Sequence, residues 1–470
     1  MRQNKNSRRY RILPLALSML LLGGCASFSK DGGFDSVSAM TKERSGHGVQ
    51  KNFSPEAQAA AQAKVHALLA NPLTPDTAVQ IALLNNKGLQ ASFADLGTAE
   101  ADYVQAGRMR NPGFSFGHLS GGGNMEIDRS VMFDLIGLLT MSTRSGIEQG
   151  RFEQAKLQAA KQAITLAGDT RRAYFNAVSA AQTVQYMRQV QEAAEAGAEL
   201  AQRMTKVGNW SKLDQAREQA FYADATAQVA RARHNAVAAR EQLNRLLGVW
   251  GQDLAYTLPE RLPDLPASPA EIADIEQKAL DHRLDVQMAK NDATATAHVF
   301  GLTQATRFIN VLDVGYANKS QSGLPRENGY QISLELPIFD FGSARAAKAE
   351  AVYMQSVNRT ADVAIRARSE VREAYSGYRT SYDLAKHYRD EVIPLRQKIS
   401  GEVMLRYNGM LMSVFDLLAD ARDQVVSVNA AIEAQRDFWL AETNLQAAMN
   451  VGSANTDSST QTAANAPALN

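Results

Sequence analysis

The 470-residue chain has a single cysteine, Cys25, so no intrachain disulfide can form and packing alone must hold the fold. Its seven histidines are scattered, with no His-x-x-x-His pair and no Cys-rich cluster, so no metal site is expected. No glycine-rich phosphate loop opens a helix after a strand. No catalytic constellation stands out, and the chain reads as not an enzyme. An excess of charge of one sign is also missing: 50 Lys+Arg face 49 Asp+Glu, which is no nucleic-acid footprint. Beyond residue 22 no apolar run reaches the ~18 residues of a membrane helix. If the mature chain crosses a membrane, strands must do it.

What is there begins with export. Ser7-Arg8-Arg9-Tyr10-Arg11 is a basic n-region and Ile12 to Leu22 an apolar h-region, too short for a mature span. The stretch ends Leu22-Gly23-Gly24-Cys25, which resembles a bacterial lipobox. Residues 1–24 then form a lipoprotein signal peptide, and Cys25 is the lipidation site of a palmitate-type anchor. Two or three acyl chains anchor firmly, each buried CH₂ contributing about 0.8 kcal/mol. Ala26 follows the Cys, so the Asp of the inner-membrane retention signal is absent. Cleavage leaves 45 basic against 49 acidic residues, a formal charge of about −4. The compartment is the envelope of a Gram-negative bacterium.

The body says nearly the same thing twice. Arg144 matches Arg345 and Tyr174 matches Tyr375 at an offset of 201. Asp214 matches Asp416 and Leu243 matches Leu445 at an offset of 202, one residue of slip. That period is far too long for a solenoid, so it marks a duplicated half-domain.

Each half carries two alternating segments and then two long helices. Phe114, Phe116 and His118 share one face; Ile127, Val131, Phe133 and Leu135 oppose Asp128, Ser130 and Asp134. In the second half Leu312, Val314 and Tyr316 alternate with Asp313 and Lys319, and Tyr330, Ile332, Leu334 and Leu336 with Gln331, Ser333 and Glu335. The pattern fits membrane β-strands of ~9–11 residues, and equally the strands of a soluble sheet. The setting of an exported lipoprotein, with no second sheet to pack against, favours the membrane. The helical runs, 142–207 and 343–408 outgoing and 211–247 and 411–450 returning, suit an Ala-rich helical tube on the order of 100 Å long. Pro394 should kink or split the second outgoing helix.

The expected divisions are an acylated tether (25–72), a first repeat (73–252), a Pro-rich linker (253–270), a second repeat (271–452) and a disordered tail (453–470). Strands are expected at about 112–120, 126–139, 308–319 and 329–340. Ser211…Asp214 and Ser413…Asp416 read as capping-box variants at the two helix turns. Gly208 reads as the left-handed residue of the first turn, with Met410 opposite it and Gly409 able to serve instead.

These residues resemble the TolC-type outer-membrane efflux proteins, in particular their lipoprotein branch. The likeness rests on the lipobox, Leu73-Thr74-Pro75-x-x-Ala78, Asn111-Pro112 entering a strand, and Leu336-Pro337-Ile338-Phe339-Asp340-Phe341-Gly342. It rests equally on Val207-Gly208 through Asp214 and Arg406-Tyr407 through Asp416. Ile136, Met410 and Asn86-Lys87-Gly88 depart from the pattern. The resemblance implies a mainly α channel-tunnel with a transmembrane β-barrel: a homotrimer, partnered by a periplasmic adaptor and, through it, an inner-membrane pump. It implies transport as an efflux channel of the outer membrane, extending as a coiled coil into the periplasm. Counting agrees with oligomerisation, because four strands cannot close a membrane barrel.

Adaptor-contact candidates are Gly208, Asn209, Trp210 and Ser211 in the first turn and Gly409, Met410 and Ser413 in the second. Trp210 is the pointed choice, as an exposed indole at a polar turn. Asp416, Asp420 and Asp423 share one helix face and are the pore-gate candidates; dipole complementation is the plainer role for acids there. Met404, Met410 and Met412 could touch a soft metal but read as tip packing. The competing function is a periplasmic tethering lipoprotein whose strands never enter a membrane.

Overall fold

In the computed structural model, residues 27–308, 311–335 and 337–452 are described. The signal peptide, Cys25, Leu336 and the tail 453–470 lie outside the described residues. The chain divides into two units, one of Met1–Val37, Phe93–Ala159 and Gln287–Val363, the other of Ser38–Ser92, Ala160–Val286 and Ala364–Asn470.

The elements run α1 (Phe34–Ser45), α2 (Pro55–Leu69), α3 (Pro75–Asn85), α4 (Lys87–Ala106), β1 (Gly113–Gly121), β2 (Asn124–Asp134), α5 (Leu135–Lys206) and α6 (Lys212–Leu247). After a short 3₁₀ turn they continue as α7 (Ile275–His282), α8 (Leu284–Ala305), β3 (Leu312–Gln321), β4 (Glu327–Leu334), α9 (Ser343–His387), a π-helical turn (Tyr388–Val392), α10 (Ile393–Asn408) and α11 (Val414–Asn450). The duplication is visible as helix pair, hairpin and helical pair, twice.

Several expected boundaries are corrected. The tether is helical at α1 and α2. Ser54 accepts from Ala57 N–H with Pro55 in the first turn, a cap legible in the sequence. Phe34 meets Phe93 edge-on at 5.0 Å, and Val65 is buried in the core. The expected strand 126–139 ends at Asp134, whose carboxylate accepts from Gly137 N–H at 2.6 Å and starts α5 at once. No proline stands at Ile136 to delay the helix. β4 ends at Leu334 instead of 340, while β3 spans Leu312–Gln321 instead of 308–319.

Pro394 acts through the turn before it. A proline ring clashes with the carbonyl four residues back, here Asp390. The chain widens to a π turn, with Ile393 N–H reaching Tyr388 O. That turn also accounts for the slip between the repeats. The offset is 201 at Tyr174/Tyr375 but 202 from the helix ends, Lys206 and Asn408, onward. A π turn holds one extra residue, and it lies inside that interval.

The core of the second unit is built twice over. Leu73, Ile81, Tyr174, Val178, Leu243 and Leu247 form one cluster; Val371, Tyr378, Tyr382, Phe438 and Leu445 form the other. The repeat partners Leu243 and Leu445 each sit in their own cluster, and Trp439 packs against both. The Tyr174 hydroxyl donates to Leu73 O at 2.9 Å, and burial pushes its pKa up to about 12. The linker is strapped to this core: Trp439 Nε1 and Gln435 donate to Pro263 O, and Tyr382 to Ala267 O.

One joint recurs in different chemistry. In the first repeat Asn85 and Asn86 donate their amides at the end of α6, to O of its cap Gly248 (2.7 Å) and to Leu246 O (3.0 Å). In the second, Arg283 donates to Ala448 O at 3.1 Å near the end of α11. Arg283 is almost wholly buried and is held by Asp285 (2.9 and 2.6 Å) and Glu370 (2.8 Å). Burial works against its charge, but hydrogen bonds to the two carboxylates outweigh it and raise its pKa.

Candidate functional site

Two surfaces carry the candidate chemistry, one in each unit. The first is the sheet. Its order is β1-β2-β3-β4, all antiparallel, with β1 and β4 as edges. Gly122 and Gly123 both have positive φ and close the β1–β2 hairpin, as a two-residue turn of this hand requires.

Register decides which residues share a face, because directly opposed residues point the same way. Phe114, Val131, Tyr316 and Tyr330 form one cross-sheet row. Phe133, Val314 and Ile332 form the next, and Leu312 with Leu334 the one after. The opposite face carries Glu126, Asp128, Ser130, Asp313, Lys319, Glu327 and Gln331. The alternation read in four separate segments therefore assembles into one apolar and one polar face. Tyr330 is 84% exposed and Phe114 68%, so no described residue covers the apolar face at these positions. Below the sheet, at the strand–helix junction, Phe339 (99%), Ile338 and Phe341 are exposed too.

The second surface is the pair of helix turns. Asn209 N–H bonds Met204 O at 2.9 Å and Leu411 N–H bonds Arg406 O at 2.8 Å, the same six-to-one closure at the 202 offset. Gly208 (φ 81) holds the left-handed position of the first turn and Met410 (φ 59) that of the second. Gly409, expected as a possible substitute, has φ −80 and does not serve. Ser211 and Ser413 both cap as the Ser-x-x-Asp spacing predicts, accepting from Asp214 N–H (3.1 Å) and Asp416 N–H (3.3 Å).

Trp210 is not a free indole. It is half-buried and stacks on Phe415 of the other turn, ring centroids 4.5 Å apart at 27°. The strongly exposed apolar residues of the turns are Met410 (94%), Leu411, Val207 and Leu405.

The three gate candidates have three different surroundings. Asp416 is exposed and its carboxylate accepts from Ser413 N–H and Oγ, closing a capping box. Asp423 faces Arg396 at 3.3 Å with its side chain largely solvated. Asp420 is buried, and its Oδ2 has no hydrogen-bond partner among the described residues. At the same 202 offset stands Glu218, also buried, accepting from Arg422 at 2.7 Å. Nothing in the repeat pattern points to that pair, since Arg422 matches Ala220 in the other repeat. Arg422 also lies over the Phe221 ring at 4.7 Å.

Among the described residues no three His, Cys, Asp or Glu side chains gather where a metal could bind. No described helix is long and apolar enough to cross a membrane.

No protein-family model matches the chain, and no curated protein sequence does. Solved structures do. The Campylobacter jejuni CmeC outer-membrane channel matches with a TM-score of 0.69 at 16% identity, over 80% of this chain and 86% of that one. The outer-membrane protein VceC of Vibrio cholerae matches at 0.66 and 15%, over 83% and 97%. The open-state MtrE outer-membrane channel of Neisseria gonorrhoeae matches at 0.65 and 17%, over 80% and 88%. The fold is thus the TolC-type channel-tunnel fold.

Proposed function

We propose that this chain is the outer-membrane channel of a tripartite efflux system, passing small molecules or ions from the periplasm or a pump to the exterior. The observation that carries the reading is the sheet: one apolar face, one polar face and two unpaired edges, on a channel-tunnel fold. An apolar face suits lipid and a polar face suits a lumen. Open edges in hydrocarbon cost several kcal/mol per unpaired group, so the sheet needs its own copies. Three copies bring twelve strands, and the homotrimer is the assembly we favour. The lipid on Cys25 is a second anchor beside the barrel.

The turns are the docking surface for a periplasmic adaptor, and through it an inner-membrane pump. Gly208, Asn209, Trp210, Ser211, Gly409, Met410 and Ser413 are its contacts. Met410 now leads Trp210, because it is the freer side chain. The pore gate is assigned to Asp416 and Asp423, the exposed members of the acidic face, with Asp420 buried behind them. Rings of carboxylates around an axis attract cations and repel anions.

The deciding experiment uses the full-length protein carrying Cys25→Ala and an ordinary cleavage site. It should still fractionate with outer membranes and form conducting pores in planar bilayers. Recovery as a folded monomer from the soluble periplasm would reject the channel in favour of a tethering lipoprotein. Replacing Asp416 and Asp423 by Ala should lower cation selectivity; an unchanged reversal potential limits Asp416 to helix capping.

A further inference from the structure

The apolar face of the sheet is interrupted at one level. One row beyond Phe114, Val131, Tyr316 and Tyr330 stand Phe116, Arg129, Asn318 and Asn328. The following row holds His118, Ile127 and Ser320, so the face turns polar toward the hairpins. Arg129 is the only Asp, Glu, Lys or Arg on this face of the described strands.

The side chains of this row are bonded into a belt across three strands. Arg129 Nη1 donates to Asn318 Oδ1 at 3.1 Å, Asn318 Nδ2 donates to Asn328 Oδ1 at 2.7 Å, and the Tyr316 hydroxyl donates to that same oxygen at 2.7 Å. Arg129 has no carboxylate partner among the described residues. The acids nearby in sequence, Glu126 and Asp128, lie on the other face, where Lys319 pairs with Glu126. The guanidinium is thus held at one end by an amide, with its other N–H donors unbonded among the described residues.

Depth agrees with the chemistry. From the Leu312–Leu334 row to Arg129 is three two-residue steps, about 20 Å along a strand and about 15 Å after barrel tilt. The apolar band of such barrels is about 25 Å tall. The exposed Phe339, Ile338 and Phe341 beneath the sheet extend the band downward, which leaves Arg129 at its upper margin. At the bilayer middle an arginine on the lipid face would cost about 2–4 kcal/mol, near the interface about 0–1. An unpaired, oriented guanidinium at headgroup level fits a phosphate, to which arginine donates two parallel hydrogen bonds.

Resting on the channel reading, we propose that Arg129, held by Asn318, binds the phosphate of a phosphorylated outer-leaflet lipid, the lipid A class. The full-length protein, extracted in detergent and delipidated, is titrated in native mass spectrometry with bis-phosphorylated lipid A, with phosphatase-treated lipid A and with inorganic phosphate. Wild type should prefer the phosphorylated lipid by on the order of tenfold, as expected for charge-assisted hydrogen bonds, and retain no inorganic phosphate. Arg129→Gln should lose that preference while still holding lipid through the apolar rows, and Arg129→Lys should keep part of it. Equal binding of the two lipids by wild type overturns the site even if Arg129→Gln fails to fold, and so does an undiminished preference in Arg129→Gln. Retention of inorganic phosphate as strongly as of lipid would overturn the lipid assignment. If wild type holds no acyl lipid at all, the channel reading falls with it.

Discussion

Arg422 of α11 donates to Glu218 of α6 at 2.7 Å, joining the returning helices of the two repeats through a pair that is unevenly buried. The Glu218 side chain is 4% exposed and the Arg422 side chain 38%. Removing the arginine strands a buried carboxylate, whereas removing the carboxylate leaves an arginine that can turn to water. Arg422→Met should therefore cost about 2–3 kcal/mol and Glu218→Gln about 1 kcal/mol. Thermal unfolding midpoints in the order wild type, Glu218→Gln, Arg422→Met are expected; the reverse order for the variants would refute the asymmetry.

Met410 carries a side chain in a left-handed conformation that its repeat partner Gly208 occupies without strain. Met410→Gly should stabilise the second turn by about 1 kcal/mol, and Gly208→Ala should destabilise the first by a similar amount. Hydrogen exchange at Leu411 and Asn209 reads the two turns separately. Equal protection before and after each substitution would dismiss the strain.

The buried Arg283 is fixed by a bidentate contact to Asp285, a third bond to Glu370 and a fourth to Ala448 O. A lysine cannot supply that fork, so Arg283→Lys should fall well short of rescue. Removing the charge altogether in Arg283→Met leaves two carboxylates facing each other and should cost about 3–5 kcal/mol. Limited proteolysis of the α7–α8 joint, faster in both variants than in wild type, is the expected readout. Wild-type resistance in Arg283→Lys would show that charge alone suffices.

Glu442 on α11 has its pKa raised by burial, only partly countered by Arg171. A carboxyl whose pKa is higher in the folded than in the unfolded chain makes the folded state bind more protons in that window. Its contribution grows as pH falls from above the raised folded value to the ordinary glutamate value, and at neutral pH it opposes folding. Glu442→Gln should raise the unfolding temperature at pH 7 and narrow the gap to wild type near pH 4. A constant gap across that range would contradict the assignment.

The face patterns were the most legible part of the sequence. Period-two alternation needs only adjacent residues, so Phe114, Val131, Tyr316 and Tyr330 could each be assigned a face before their register was known. The two Ser-x-x-Asp caps were legible for the same reason. Element ends were less so: Asp134 is both the last strand residue and the cap that starts α5, and alternation continues past it in Leu135. Of the two helices in 34–69, the second was readable from Ser54-Pro55-Glu56, but the polar composition around it concealed it. Asp285 stands two residues from Arg283, but the burial that makes the arginine structural comes with Glu370 and Ala448, 87 and 165 residues away. Glu218 and Arg422 were invisible because they lie 204 residues apart.

The extra residue in the π turn at Tyr388–Val392 can be expressed as phase. An inserted residue in a regular helix advances every later side chain by about 100°, enough to move a buried face to the surface. Confined to one wide turn, that advance is absorbed before α10 begins, and the turn at Met410 repeats the hydrogen bonding of the turn at Gly208. Duplicated long helices can thus diverge in length one residue at a time, provided the surplus is stored locally. The outgoing helix of the second repeat is where this chain has kept such a remainder.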